Sequence, residues 1–161
     1  MNAKVDITEL VEFQKKLKAL EESEKTAFLK KLTNEAAMRL LEKVRVRTPV
    51  GVYPADSGKT GGTLRRGWAA KTAIKPLEVQ QIGQSTVVSV RIINPVKYAS
   101  YVEYGHRQTP GRFVPAIGKK LKKGWVDGKF MLTKSELELE NELPRIIERK
   151  LRQLFNGALK Q

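Results

Sequence analysis

The chain contains no cysteine, a single histidine and few aromatic residues, which make up 7% of its 161 positions. Without cysteine it can form no disulfide, no thiolate metal site and no cysteine nucleophile. Because His106 is the only histidine, two histidines cannot bind the same metal ion. The chain also has no run of about 18 apolar residues, so we expect no membrane-spanning helix. We expect no signal peptide either, since the N-terminus is polar and charged.

Acidic residues are scarce as well: 17 stand against 31 lysines and arginines, a net charge of +14. Most of the surplus falls in residues 51–132, which contain 14 basic and 4 acidic residues. Residues 1–50 contain 11 and 8, and residues 133–161 contain 6 and 5. A surplus concentrated in this way predicts a surface that meets a polyanion, either nucleic acid or an acidic protein. A basic surface that serves only solubility is the alternative.

Apolar residues at helical spacing predict two helices before this basic middle. Asp6 and Glu9 form a capping box that opens an N-terminal helix over residues 1–22, which we expect to be peripheral. A long amphipathic helix follows from Ser23, and Pro49 ends it because proline disfavours a helical residue before it. A stripe of this kind predicts a buried packing face rather than a cofactor site.

Alternation of apolar and polar residues predicts an antiparallel pair of strands in the middle of the chain. The first strand begins at Trp68 and runs up to Pro76, and after a break or bulge at that proline it continues to Gln81. The second strand runs from Thr86 to Ile93. Between them, Gly83-Gln84 suits a two-residue hairpin turn with glycine in the first position. The second strand is rich in β-branched residues, which a pleated and half-buried surface favours.

A further turn signal and a further helix complete the predicted fold. Asp127-Gly128 lies between apolar residues and is a hairpin signal, which predicts either a small β-ribbon or an added sheet strand. Thr133 and Glu136 form a second capping box, which opens a C-terminal helix over residues 133–161. We therefore predict an α+β fold of one domain over residues 1–161, with long N-terminal and C-terminal helices packed on a small antiparallel sheet and with long basic loops.

Three tyrosines follow the second predicted strand, at Tyr98, Tyr101 and Tyr104. Their spacing of three predicts one turn of helix, which Gly105 ends before a basic loop over residues 106–111. We predict that these rings and Trp68 form a packing set, against the core or against another subunit. Stacking of the rings on nucleic-acid bases is the alternative.

The candidate contact residues are cations that fall in loops and at the ends of elements. Because they do not share one recognition helix, they predict contact with a phosphate backbone without base reading, or contact with an acidic neighbour. We assign this role to Lys59, Arg65, Arg66, Arg107, Arg112, Lys119 and Lys120, with Lys122 and Lys123 beside them.

No catalytic, metal or cofactor site is predicted. Ser57-Gly58-Lys59-Thr60 resembles a phosphate-binding loop, but Tyr53 stands where that motif needs its first glycine. His106 has Ser100 and Glu103 near it in sequence, without the nucleophile elbow of a hydrolase. The scattered carboxylates form no magnesium cluster. We expect no enzyme activity and keep a hydrolase that uses His106 as a third class, after a structural protein and a nucleic-acid-binding protein.

Two segments, taken in order, resemble a known family. The first runs from Thr48-Pro49-Val50 through Ser57-Gly58 to Leu64-Arg65-Arg66-Gly67-Trp68, similar to a TPV…(T/S)G…LR.SW pattern. The second is Asn94-Pro95-Val96-Lys97-Tyr98-Ala99-Ser100-Tyr101-Val102-Glu103-Tyr104-Gly105-His106, similar to N…YA.YVE.G(T/H). Together they resemble the tail-completion or neck family of long-tailed phages and prophages, named after the tenth gene product of a lambdoid phage.

The resemblance implies a structural subunit of the virion neck or tail, assembled in the cytoplasm of the bacterial host. It implies a hexameric ring between the head connector or stopper and the tail terminator or tail tube, with genomic DNA passing through. The extended segment Gly51 to Lys59 and the lysine-rich region Gly111 to Leu132 depart from the family pattern. The alternative function is a stand-alone protein that binds nucleic acid non-specifically.

Overall fold

The structure is a computed structural model and describes residues 22–53, 55–68, 75–115 and 118–158. The predicted N-terminal helix therefore lies outside the described residues, apart from its last position. The elements are, in chain order, α1 (Glu22–Arg47), a 3₁₀ turn (Ala55–Ser57), α2 (Thr63–Gly67), β1 (Glu78–Ile82), β2 (Ser85–Ser89), α3 (Ala99–Tyr104), β3 (Gly105–Arg107), β4 (Phe113–Val114), β5 (Lys119–Lys120), β6 (Trp125–Asp127) and α4 (Met131–Ala158). Helices combined with antiparallel strand pairs confirm the α+β class.

The two long helices, α1 and α4, lie antiparallel, and ion pairs cross between them. Near the end of α1, Lys43 Nζ lies 2.6 Å from Glu138 Oε1 and 2.8 Å from Glu142 Oε1. Nearer its start, Glu35 pairs with Lys150 at 2.7 Å and with Arg149 at 3.1 Å. Early residues of one helix thus meet late residues of the other, which sets the antiparallel direction.

The core lies where α1, α2 and α4 meet. Leu41 and Val44 of α1, Leu64 of α2, Trp68 and Met131 are buried together there. Each such side chain contributes about 1.5–3 kcal/mol by leaving water. Val44 is 0% exposed and Met131 is 1% exposed, so a truncation at either position leaves a cavity. Trp68 is 3% exposed and lies within this core.

The predicted hairpin of the middle chain is present between β1 and β2. Ile82 pairs with Ser85, so Gly83-Gln84 is the two-residue turn. Gly83 has a φ of +60°, which suits a turn with glycine first. The second strand ends at Ser89 rather than at the predicted Ile93, and the first begins at Glu78. The predicted start at Trp68 is wrong, because Trp68 is the C-cap of α2, and residues 69–74 lie outside the described part. The hairpin lies against α1, where the Thr86 hydroxyl donates to Glu22 at 2.7 Å.

The predicted hairpin at Asp127-Gly128 is wrong, because the strand before it pairs elsewhere. The β6 strand pairs with β3 in antiparallel register as a separate two-stranded ribbon. A β-ribbon therefore forms without the predicted turn, and in the described structure β6 is not added to a larger sheet. Gly128 serves close backbone approach instead of a turn: a Cβ at this position would lie 2.3 Å from the Glu103 carbonyl oxygen. The α3 turn itself is as predicted, and Gly105 ends it with a φ of +85°.

Candidate assembly and nucleic-acid interface

The predicted basic loop after α3 is part of a long hairpin over residues 105–127, which we call the basic arm. Backbone hydrogen bonds join the β3–β6 and β4–β5 pairs into this one hairpin. The Gln108 N–H donates to the Gly124 carbonyl at 2.8 Å, and the Leu121 N–H donates to the Arg112 carbonyl at 2.8 Å. The loop prediction is corrected accordingly: the chain leaves α3 as a strand and returns as a strand.

The basic arm holds the densest positive charge in the described structure. It contains one acidic residue, Asp127, and six basic residues, all six of them exposed. Within the described residues, none of the six cationic side chains has a hydrogen-bond or ion-pair partner. The arm therefore brings four of the seven predicted contact cations onto one element; the six are Arg107, Arg112, Lys119, Lys120, Lys122 and Lys123.

Aromatic side chains are interleaved with these cations. Arg107 faces Trp125 across the β3–β6 pair, and Phe113 faces Lys120 across the β4–β5 pair. Partners in an antiparallel pair project to the same side. Trp125 is 51% exposed and Phe113 is 54% exposed. Exposed Trp and Arg side by side are the residue types that dominate the energetic centres of protein interfaces.

The root of the basic arm is fixed by Glu103, a buried carboxylate at the end of α3. Its oxygens accept the N–H groups of Leu132 and Thr133 at 3.0 Å each, and the Thr133 hydroxyl at 2.9 Å. These N–H groups belong to the first turn of α4, which has no intrahelical acceptor for them. The predicted capping box is therefore corrected: α4 begins at Met131, and its cap comes from α3.

Two backbone hydrogen bonds also join the end of α3 to the residues just before α4. The N–H groups of Lys129 and Phe130 donate to the carbonyls of Val102 and Glu103, at 2.8 Å and 3.0 Å. The arm is thus tied at its root to the start of α4 by backbone and side chain together. Sequence reasoning missed this role of Glu103, because its partners lie about thirty positions along the chain. The available signal was a lone glutamate among apolar and aromatic residues.

The other predicted contact arginines hold the loop before α2. Arg65 donates two hydrogen bonds to the Thr48 carbonyl, at 2.8 Å and 3.2 Å. Arg66 donates to the Gly61 carbonyl at 3.0 Å and to the Thr63 hydroxyl at 3.3 Å. Both remain exposed, as does Lys59 in the same loop, so an outside contact stays a prediction for these three. Their internal bonds show that the arginines also shape this loop.

The three tyrosines of the α3 turn are exposed: Tyr98 by 44%, Tyr101 by 59% and Tyr104 by 61%. They do not pack into the core, because Ala99 and Val102 occupy the inward side of the same turn. Of the two packing roles predicted for them, contact with another subunit is the one their exposure permits. Three exposed tyrosines thus lie next to the arm root.

His106 does not form the arrangement of a hydrolase with its neighbours in sequence. Its ring lies edge-on to Tyr101, with centroids 5.9 Å apart, and its Nε2 lies 3.3 Å from the Gln108 amide nitrogen. Glu103, which would orient the ring in a triad, is turned into the start of α4 instead. Among the residues that the structure describes, no three His, Asp or Glu side chains are placed to hold a metal ion.

The two motif segments noted in the sequence pack against one another. Asn94 Nδ2 donates to the Leu64 carbonyl at 2.9 Å, and a Cβ on Gly67 would lie 2.3 Å from Asn94 Oδ1. Tyr98 and the loop before α2 line a groove of about 280 Å³ above this contact. The segments are therefore one structural unit at the base of the arm.

A family model described as "Bacteriophage HK97-gp10, putative tail-component" matches residues 11–105, which is more than half of the chain. The match covers the first motif segment and all of the second except His106. The chain belongs to this family. No match was found among curated proteins or among solved structures. The family match ends at Gly105, so most of the basic arm and all of α4 in this tail-component protein lie beyond it. No helix in the described ranges is long and apolar enough to cross a membrane.

Proposed function

We propose that this protein is a structural protein of the virion neck, which joins the head connector to the tail tube of a long-tailed phage or prophage. It acts as one subunit of a hexameric ring through which genomic DNA passes. Family membership supports the phage assignment. The observation that carries the joining role is the basic arm, whose six exposed cations lack partners among the described residues.

Charge explains why such an arm suits a ring around DNA. A duplex attracts lysine and arginine through its phosphates without regard to sequence, and the attraction weakens as salt screens it. Cations spread along a two-stranded arm can follow a backbone that moves past them, because no base has to be read. In this proposal Arg107, Arg112, Lys119 and Lys120 meet phosphates or an acidic neighbouring protein.

The proposed role requires binding and assembly but no catalysis, cofactor or metal. Its partners are further copies of the chain, the head connector or stopper, and the tail terminator or tail tube protein. The exposed tyrosines support such protein contacts, since tyrosine is enriched at interface centres.

Deletion of the gene from an inducible phage tests the joining role. We expect electron micrographs of the lysate to show filled heads and complete tails that are not joined, and purified protein to restore joining. The Tyr101→Ala variant should fold normally, because its ring is 59% exposed, yet join poorly. Joined particles in the absence of the protein would contradict the proposal.

A stand-alone nucleic-acid-binding protein is the second candidate, and the unpartnered arm cations favour it too. Anisotropy titrations of duplex DNA at increasing salt distinguish the two functions. Tight binding by a monomer with a steep salt dependence indicates the second candidate. Weak binding accompanied by a large assembled mass, measured in solution and in the particle, indicates the ring subunit.

A further inference from the structure

We infer that the basic arm of one copy docks on the outer face of α4 in the next copy, and that this contact closes the assembly. The inference rests on the proposed function and commits to one partner, a second copy of this chain. Two surfaces of opposite charge that the fold leaves unpartnered carry it. Each surface alone fits several partners, so only the two together point to a second copy of the chain.

The first surface is the outer part of the basic arm. Lys119 and Lys120 are exposed in β5, and Phe113 lies beside Lys120 across the strand pair. Successive residues of a strand project to opposite sides, so Lys119 lies on the other side of the strand pair from Phe113 and Lys120. The exposed Phe113 ring with Lys120 beside it presents an apolar group with a positively charged edge, and Lys119 adds positive charge to the other side. Its best partner is an acidic surface that also offers an exposed apolar side chain.

The second surface is the side of α4 that faces away from α1. Residues 136–142 contain four glutamates and no basic residue. Glu138 and Glu142 turn toward α1, where Lys43 pairs with both. Glu136 and Glu140 are exposed and have no side-chain partner in the described structure. Leu137 lies between them in sequence and is 56% exposed.

The two surfaces are complementary in charge and in their exposed apolar residue. Within the described part of one chain, no ion pair joins the arm to α4. The two surfaces also lie at different places on the molecule, so a contact between copies is heterologous, with different patches on the two sides. Heterologous contacts repeat from copy to copy and give a ring when the rotation closes.

A charge-exchange experiment tests this pairing. Lys119→Glu/Lys120→Glu reverses the arm, and Glu136→Lys/Glu140→Lys reverses the α4 face. Each pair should weaken self-association of the full chain by at least about tenfold, measured by sedimentation over a range of concentrations. The chain that carries all four substitutions has the original net charge, and its association should return to within about threefold of the unaltered chain.

Lys30→Glu/Lys31→Glu is the matched control, because it makes the same charge change at two adjacent exposed lysines of α1. It should leave self-association unchanged. An arm variant that associates like the unaltered chain overturns the inference. So does a fourfold variant that stays as weak as the two pairs, because recovery requires that these surfaces meet each other.

The absence of cysteine permits a direct second test. Lys120→Cys and Glu140→Cys each introduce the only thiol of their chain. A mixture treated with a short bismaleimide should give a cross-linked dimer, whereas a Lys30→Cys and Glu140→Cys mixture should not. An equal yield from both mixtures, or an unaltered chain that stays monomeric up to about 1 mM, overturns the inference.

Failure of this inference is distinguishable from failure of the joining role. If the reversed arm loses duplex binding while self-association is unchanged, the arm meets DNA, and the inference falls with the joining role intact. If phage lacking the gene still join heads to tails, the joining role falls, whatever the charge exchange shows.

Discussion

The cations of the helical body and those of the basic arm differ in what surrounds them. In the body, Lys43, Lys150 and Arg149 each lie within 3.1 Å of a glutamate on the facing helix. In the arm, none of the cations has a partner within the described structure. Two regions of one basic chain thus use the same residue types differently: one set aligns two helices, and the other remains available to a polyanion.

The difference also separates stability from binding. Core burial between α1, α2 and α4 supplies most of the folding free energy, since exposed ion pairs contribute little. Like charges along the arm repel each other, and nothing described in the fold offsets that repulsion. This repulsion lowers the stability of the folded chain, and binding of the arm to an anionic partner explains why the arm has these cations.

The largest expected effect contrasts core with arm. Met131→Ala should lower the free energy of unfolding by about 3 kcal/mol, because it opens a cavity in the core. Phe113→Ala in the arm should change it by less than about 0.5 kcal/mol, because that ring is 54% exposed. Urea unfolding measures both. Equal losses would show that the arm is part of the stabilising core.

The next effect concerns the joint between the two regions. Glu103→Ala should cost about 2 kcal/mol of unfolding free energy, because it leaves the N–H groups of Leu132 and Thr133 without their acceptor. Glu136→Ala, at an exposed position of α4, is the control and should leave the free energy of unfolding nearly unchanged. Thermal unfolding followed by circular dichroism distinguishes them, and an unaffected Glu103→Ala would refute the cap.

A smaller effect is expected on duplex binding. Arg107→Ala/Arg112→Ala should weaken binding by about tenfold at low salt and lower the slope of log K against log salt by about 2. The free energy of unfolding should be unchanged, because neither arginine side chain has a partner in the described structure. Arg149→Ala/Lys150→Ala removes two body cations and should leave the slope unaltered. A similar slope change in both variants would show that arm cations and body cations contribute equally to duplex binding.

The smallest effect is the dependence of stability on pH. Hydrogen bonds from Lys43 and then Arg47 lower the pKa of Glu138, and those from Lys150 and then Arg39 lower the pKa of Glu35. A lowered folded-state pKa contributes stability that is present above the unfolded pKa of about 4.3 and is lost as pH falls through the folded pKa. Glu138→Gln should therefore lose less thermal stability than the unaltered chain between pH 7 and pH 3. An identical loss in both proteins would contradict this assignment.

Local sequence signals were reliable where neighbouring residues decide the structure. The Gly83-Gln84 turn and the α3 turn formed as predicted, because glycine and helical spacing act within a few positions. The hairpin turn predicted at Asp127-Gly128 was wrong, because Gly128 lies against the backbone of Glu103, a residue far away in the sequence. The arm was predicted as a basic loop over residues 106–111 and a separate turn signal at Asp127-Gly128, not as one hairpin, because its pairing joins segments that are far apart in the chain.

Composition and spacing alone determined that this chain is basic in its middle, has amphipathic helices and carries the two motif segments of its family. Those properties depend on residue type and on separations of a few positions. Tertiary structure decided which cations are neutralised by α4, that Glu103 caps that helix, and that the arm cations share one element. These outcomes depend on contacts between distant segments, whose geometry exists only once the core has packed.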